Sequence, residues 1–305
     1  MKEKWPKWAL LEGLVRVLSN LLQKRMSDLT SHSFGAILLL TMLIGLVQAL
    51  LGLFVAHTTK EKLWMHRIGN SGSVAFGVLA FFGINLSFLV FAEGGQLSIH
   101  VLIVTLGIIP GALCDRYLFG HSFRPTQLLG IGVAVTAGYC ALDAPSLASF
   151  TKLPIWVWCS VGTMLLMTAN QVISQKIQTY TTPMAKNVWG GGTIAFLGGV
   201  SLIAQPFHIA AAEWNRLFLT SSLIGMLSVL LWTFNLWAYR DGAYIALKKL
   251  VVNGSLLFFG SVFGMFSGER ISVTQGAGFF LYLIAFCLTD RDTWDFIQKK
   301  WHKQE

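Results

Sequence analysis

Two adjacent lysines, Lys248 and Lys249, sit inside the apolar run AYIALKKLVVNGSLLFFG. A charge at the centre of a membrane helix costs ~2.5–3.5 kcal/mol on the insertion scale, so each ammonium needs a partner or water. Neighbouring helical residues point about 100° apart, so the two lysines reach the edges of one interior face. One chemistry for such a pair is anion binding on the wall of a wet cavity. The other is snorkelling of both side chains to lipid headgroups. Glu12 and Arg16 are four residues apart with the acid first, which places them on one helix face as a favourable pair. Glu12 reads either as a proton or cation site that exchanges its partner, or as half of a structural ion pair. Asn20 extends the same stripe.

The remaining polar candidates are weaker individually. Asn85, Asn170, Gln171, Asn235 and Asn253 are amides in apolar surroundings. Such amides more often bond a neighbouring helix than a ligand. Trp232 could stack on a ligand or fill the core, whereas Trp237 near a helix end reads as an interface anchor. His100 has an imidazole that could titrate near neutral pH. Its place at the end of a span suggests a wetted, hydrogen-bonded ring. Phosphate-loop, metal-ligand and Ser-His-Asp or Cys-His patterns are missing, so neither an enzyme nor a resident cofactor or metal is expected. Cys114, Cys140, Cys159 and Cys287 lack metal spacing and read as small apolar packing residues.

Composition sets what must position these groups. The 305 residues are 54% hydrophobic and 12% charged, with mean hydropathy +0.61. Soluble domains carry about 25% charged residues, so lipid is the expected solvent. Continuous apolar runs of helical length point to helices rather than barrel strands. Ten transmembrane helices are expected, at 7–23, 34–57, 70–92, 97–119, 126–143, 154–175, 186–206, 217–238, 243–266 and 272–289. The fold class is an all-α membrane protein.

The chain also repeats itself. Thr126-Gln127 and Gly130 match Thr274-Gln275 and Gly278, a shift of 274 − 126 = 148. Gln23-Lys24 match Gln175-Lys176, Asn85-Leu86 match Asn235-Leu236, and Glu93-Gly94 match Asp241-Gly242. Five spans per half is an odd number, so the halves are expected in opposite orientation, as two inverted five-helix repeats. Residues 1–143 form the first repeat, 144–153 a connecting loop, 154–289 the second repeat, and 290–305 an amphipathic cytoplasmic tail. Sites in such folds lie near the midplane between halves.

With the N-terminus inside, fifteen Lys and Arg fall on cytoplasmic segments, Lys60, Lys62, Arg67, Lys176 and Lys186 among them. Five fall outside: Lys24, Arg25, Lys152, Arg216 and Arg270. This bias predicts both termini cytoplasmic, most simply in a bacterial inner membrane. The net charge of +9 then reflects topology and lipid headgroups, not nucleic acid. The start MKEKWPKWALLEG has no small-residue cleavage site after its apolar run, so no cleavable signal is expected.

The two tails TQLLGIGVAVTAGYC and TQGAGFFLYLIAFC, with the five-plus-five plan, resemble the drug/metabolite transporter superfamily, of the ten-helix EamA-like type. That family carries an acidic residue before a Gln-x-x-Gly helix; Glu269 keeps it in the second half and His121 replaces it in the first. It often has a proline in the fourth and ninth spans, and Pro110 fits the fourth. The resemblance to the sugar-phosphate and nucleotide-sugar branch implies a phosphate-holding role for Lys248 and Lys249. His100 stands where triose-phosphate members place a lysine in the fourth span.

The expectation is a secondary transporter that moves a small polar or anionic metabolite by alternating access. Its cavity is expected between spans 1, 3, 4, 6, 8 and 9. Its substrate-binding residues are expected among Glu12, Arg16, Asn20, Asn85, His100, Trp232, Asn235, Lys248 and Lys249. Partners are a small-molecule substrate, a proton or counter-substrate, and membrane lipid; oligomeric state stays open. The alternatives are an exporter of amino acids or hydrophobic cations, and a non-transporting membrane protein.

Overall fold

The computed structural model describes residues 4–30, 33–64, 66–141, 153–205, 209–266 and 272–289. The expected connecting loop, save residue 153, the tail 290–305 and Glu269 lie outside the described residues. Every regular element among the described residues is helical: α1 (Trp5–Arg25), α2 (Ser27–Thr30), α3 (Phe34–Thr59), α4 (Arg67–Ala92), α5 (Leu97–Thr105), α6 (Ile108–Leu118), α7 (Pro125–Ala141), α8 (Ile155–Ile177), α9 (Pro183–Ala204), α10 (Trp214–Arg240), α11 (Ile245–Phe266) and α12 (Val273–Thr289). A single 3-10 turn, Ala211–Glu213, precedes α10. Among the described residues, five stretches are long and apolar enough to cross a bilayer: Phe34–Thr59, Arg67–Ala92, Ile99–Leu118, Pro183–Ala204 and Ala211–Arg240. The chain therefore reads as an integral membrane protein of helical type.

The fourth expected span is two helices, α5 and α6. Proline at position 110 has no N–H to give the Leu106 carbonyl and crowds it. Ile109 N donates to Leu106 O instead (3.0 Å), and Gly107 N turns back to Val104 O (3.1 Å). The freed Thr105 carbonyl accepts Asn253 Nδ2 of α11 at 3.4 Å.

Matched sequence anchors adopt matched local structure. Gln127 Oε1 accepts Arg124 N at the start of α7, and Gln275 Oε1 accepts Ser272 N at the start of α12, both at 3.0 Å. Each Gln thus satisfies a backbone donor that the first helical turn leaves unpaired. After α4, Gly94 has φ +78°; after α10, Gly242 has φ +91°. Both are left-handed helix stops that a Cβ would strain. The bonds repeat as well: Gly95 N donates to Val90 O (2.8 Å) and Ala243 N to Ala238 O (3.1 Å).

In tertiary packing, α3 lies on α9 and α7 on α12. Helix α4 lies on α8 and α9, while α1 and α3 both lie on α10. Helix α11 fills the space beside α1, α5 and α6. The α3–α9 crossing is close because Gly45 and Gly191 face each other: a Cβ on Gly45 would stand 2.7 Å from Gly191 O. At one end of the bundle, Trp8 stacks on Phe234 and donates Nε1 to Asp241 Oδ2 (2.9 Å). There too Arg240 donates to the Gln178 and Thr181 carbonyls, and Trp189 Nε1 to Leu63 O.

Candidate functional site

Helix α1 brings Glu12 and Arg16 into the bundle one turn apart, and Arg16 Nη2 donates to Glu12 Oε1 at 3.0 Å. The other carboxylate oxygen, Oε2, meets Lys248 Nζ of α11 at 2.7 Å. Glu12 is fully buried and Lys248 is 1% exposed. Lys248 therefore does not snorkel to headgroups. Its ammonium also donates to Gln171 Oε1 of α8 at 2.6 Å and sits 4.4 Å from the Tyr239 ring centre.

Gln171 is the hub. Its Oε1 takes Lys248 Nζ (2.6 Å), Tyr239 OH (2.6 Å) and Asn235 Nδ2 (2.8 Å). A carbonyl oxygen has two lone pairs, so donors here outnumber acceptors. Asn235 Nδ2 also reaches Glu12 Oε1 at 3.4 Å, and Asn235 Oδ1 accepts Lys186 Nζ at 2.9 Å. Lys186, expected in a cytoplasmic segment, is instead fully buried at the start of α9. It donates to Ser174 Oγ at 2.9 Å and lies 3.9 Å over the Phe76 ring. The positive-inside count loses that residue, and the polar cluster gains it.

Lys249 turns to the other edge of α11. Its Nζ donates to Thr168 Oγ1 at 2.5 Å, and the residue is 6% exposed. Space for that ammonium comes from the break between α5 and α6, where a Cβ on Gly107 would stand 2.4 Å from Nζ. The buried basic side chains of this cluster are Arg16, Lys186, Lys248 and Lys249, against the carboxyl of Glu12. Among the described residues, Arg16 Nε has no hydrogen-bond partner.

Two voids flank these groups. A cavity of about 90 Å³ is lined by Arg16, Asn20, Gln23, Asn170, Trp232 and Asn235, with further residues of α1, α4, α8 and α10. A second void of about 10 Å³ is bounded by Glu12, Arg16, Lys248, Lys249, Val104 and Asn253. Arg16, Met167 and Gln171 line both, so the smaller void adjoins the larger. Together the walls come from α1, α4, α5, α8, α10 and α11, which hold the first, third, fourth, sixth, eighth and ninth expected spans. A larger groove of about 800 Å³ runs between α1 and α10 and is lined mostly by Leu and Met. Its polar lining among the described residues is Lys24 and Arg25.

The other candidates divide. Asn20 lines the cavity. Trp232 lines it while packing edge-on to Phe76 at 4.4 Å, so it is both wall and core. Asn85 holds α4 to α3: it donates to Phe81 O (2.8 Å) and accepts Thr41 Oγ1 (3.2 Å). His100 stands apart, fully buried rather than wetted, with Nδ1 3.0 Å from Ser160 Oγ and its ring against Phe91. Lys186 and the hub role of Gln171 were not read from the sequence. Asp115 was also missed: it accepts Ile245 N (3.0 Å) and Ala246 N (2.7 Å) and so caps the helix that carries both lysines.

No family model matches the chain, and no curated protein matches it. A solved structure described only as "Crystal structure of protein" superposes with a TM-score of 0.63 at 15% identity, over 91% of this chain and 97% of its own. Likeness at that identity shows the fold alone.

Proposed function

We propose that the chain is a ten-span secondary transporter of a small anion, built from two inverted five-helix repeats that rock about the Arg16–Lys248 region. The carrying observation is the surplus of buried basic groups and donors around Glu12, opening on a cavity lined by polar and apolar side chains. Buried charges need partners or water, and an anion entering between Arg16 and Lys249 would supply the missing acceptor. The small void suits one oxygen of the anionic group, since about 10–15 Å³ holds a water-sized atom. The larger cavity then receives the body of the molecule against Trp232 and Asn20.

The helix pairing supports the repeat. Exchanging the halves turns the α1–α10 contact into α8–α4, and α3–α10 into α9–α4, while α3–α9 and α7–α12 map onto themselves. The equal caps at Gln127 and Gln275 and equal stops at Gly94 and Gly242 support it further. The proposed setting is a bacterial inner membrane with both termini cytoplasmic.

A thermal-shift screen of the detergent-solubilised protein tests the reading. The panel is sulfate, phosphate, succinate, sugar phosphates, amino acids and amines. A true ligand at a hundredfold excess over its dissociation constant stabilises by ~2.7 kcal/mol. Anions are expected to shift the wild type and not the Lys248→Ala, Lys249→Ala double variant. A shift by amines alone would overturn the anion reading in favour of a cation exporter.

A further inference from the structure

We propose that Lys249 takes up a proton when the anion binds, so that the protein carries anion and proton together. This rests on the anion-site reading above and adds to it the coupling ion and the residue that holds it.

The two lysines of α11 differ in their partners. Lys248 has a carboxylate, Glu12 Oε2, at 2.7 Å. Lys249 has the Thr168 hydroxyl. Among the described residues, no carboxylate oxygen lies within 4.0 Å of Lys249 Nζ. Thr168 Oγ1 already donates to Met164 O at 2.8 Å, so toward Lys249 it acts as an acceptor, which a neutral amine satisfies as well as an ammonium. Glu12 is shared between Arg16 and Lys248, and these three already carry one net positive charge. A further ammonium at Lys249 would be a buried cation facing two others without a counterion, the arrangement that burial penalises most. The neutral amine is the state that fits the site on its own.

An anion changes that balance. Lys249, Lys248 and Arg16 all border the 10 Å³ void. An anionic oxygen there gives Lys249 the counterion it lacks, and a hydronium ion of the bulk solvent gives up the proton that completes the ammonium, leaving water. One O–H bond of hydronium breaks as the N–H bond forms. Glu12 keeps its own two cations throughout.

The groups facing Lys249 are Arg16 and Glu12 of α1, Lys248 of α11 and Cys114 of α6. Helix α8 presents Thr168 and Gln171, which do not titrate. Tyr239 of α10 is committed to Gln171, and Tyr282 of α12 to Leu250 O. Asp115 of α6 is held by the Ile245 and Ala246 amides and by His121. Lys186 is behind Asn235, bonded to Ser174 and outside the small void.

The test is calorimetric binding of sulfate and of succinate, each run in two buffers of different ionisation enthalpy. Sulfate carries no titrating proton near neutrality, so proton uptake belongs to the protein. The wild type is expected to take up about one proton per anion at mildly alkaline pH, with affinity rising about tenfold per pH unit on acidification until Lys249 is charged beforehand. Lys249→Arg keeps a cation that does not deprotonate; it is expected to bind sulfate with no proton uptake and little pH dependence. Lys249→Met is expected to bind weakly, also without uptake. Wild-type binding with no proton uptake overturns the coupling and leaves the anion site standing. Undiminished uptake in Lys249→Arg or Lys249→Met overturns the assignment to Lys249. Failure of both anions to bind the wild type overturns the anion-site reading itself. Proton counting on the wild type decides the coupling even where a variant does not fold.

Discussion

Lys248 Nζ stands 2.7 Å from Glu12 Oε2, tying α11 to α1 through a pair removed from water. Because Arg16 holds the other oxygen, one carboxylate organises cations from both halves of the chain. Removing one member of a buried pair leaves an uncompensated charge and costs about 3–5 kcal/mol. Glu12→Gln and Lys248→Met are each expected to lower stability by that order. The double variant should lose less than the sum, because Lys248 is then no longer stranded, while Arg16 still loses its carboxylate. Thermal unfolding in detergent across the four-protein cycle measures the coupling. Additive losses would show that the two side chains do not depend on each other.

Gly107 is expected to matter through Lys249 rather than through the backbone. A Cβ there would come 2.4 Å from Lys249 Nζ and 3.0 Å from Met164 Cγ and Val104 O. The nearest obstacle is the tip of a flexible side chain, so Gly107→Ala displaces the Lys249 amino group at a cost of about 1–3 kcal/mol. Anion affinity should fall with it. Gly132→Ala in α7, where nothing lies within 4 Å, is the control. It should leave binding unchanged and gain about 0.5–1 kcal/mol from helix propensity. Equal sulfate affinity in all three proteins would remove Gly107 from the site.

Much of the scaffold was legible because its signals are local. The matched anchors at Gln127 and Gln275 and at Gly94 and Gly242 each act within a turn or two of sequence, although their roles as caps and stops came from the structure, and the break at Pro110 was not read because 97–119 was expected as one span. Glu12 with Arg16, and Lys248 with Lys249, were legible because a charge in an apolar run has few explanations. Lys186 was not. It follows Pro183 at a helix start, where a basic residue looks like a loop charge, and only the fold brings it to Ser174 and Asn235. Gln171 looked like any intramembrane amide, since its three donors come from α10 and α11. Asn85 and Asn235 occupy matching places, yet one holds two helices together and the other joins the charged cluster. Their difference depends on which residues face them across the bundle.

Asp115 should separate stability from binding chemistry. Its carboxylate accepts two backbone N–H groups at the start of α11, where helix termini leave donors unpaired and favour negative charge. Asp115→Ala is expected to cost about 0.5–2 kcal/mol, the range for losing a helix cap. Anion affinity should fall only as far as the first turn of α11 loosens Lys248. Proton uptake per bound anion should stay as in the wild type. Hydrogen exchange at Ile245 and Ala246, expected to quicken, reports the local effect directly.

The cavity should be reachable from one side of the membrane only. Its walls run from Arg16 and Asn235 through Asn20 to Gln23 and Ile224, away from the end where α10 meets α11. That other end is tied shut. Arg240 Nε donates to Gln178 O at 3.0 Å and Trp189 Nε1 to Leu63 O at 3.0 Å, while Glu61 Oε2 accepts Met184 N at 3.3 Å. In the proposed topology the tied end is cytoplasmic. A single cysteine at Ser228, which lines the cavity, in a background without the four native cysteines should react with a membrane-impermeant maleimide from the outer face. It should react poorly from the cytoplasmic face. Arg240→Ala removes the link to the α8–α9 turn, so it should raise cytoplasmic labelling several-fold and lower outer labelling in step, because the proposed rocking exposes one face at the expense of the other. Sulfate binding should slow labelling from whichever side is open. Outer labelling that stays constant while cytoplasmic labelling rises would point to a leak through the bundle rather than to two exchanging states.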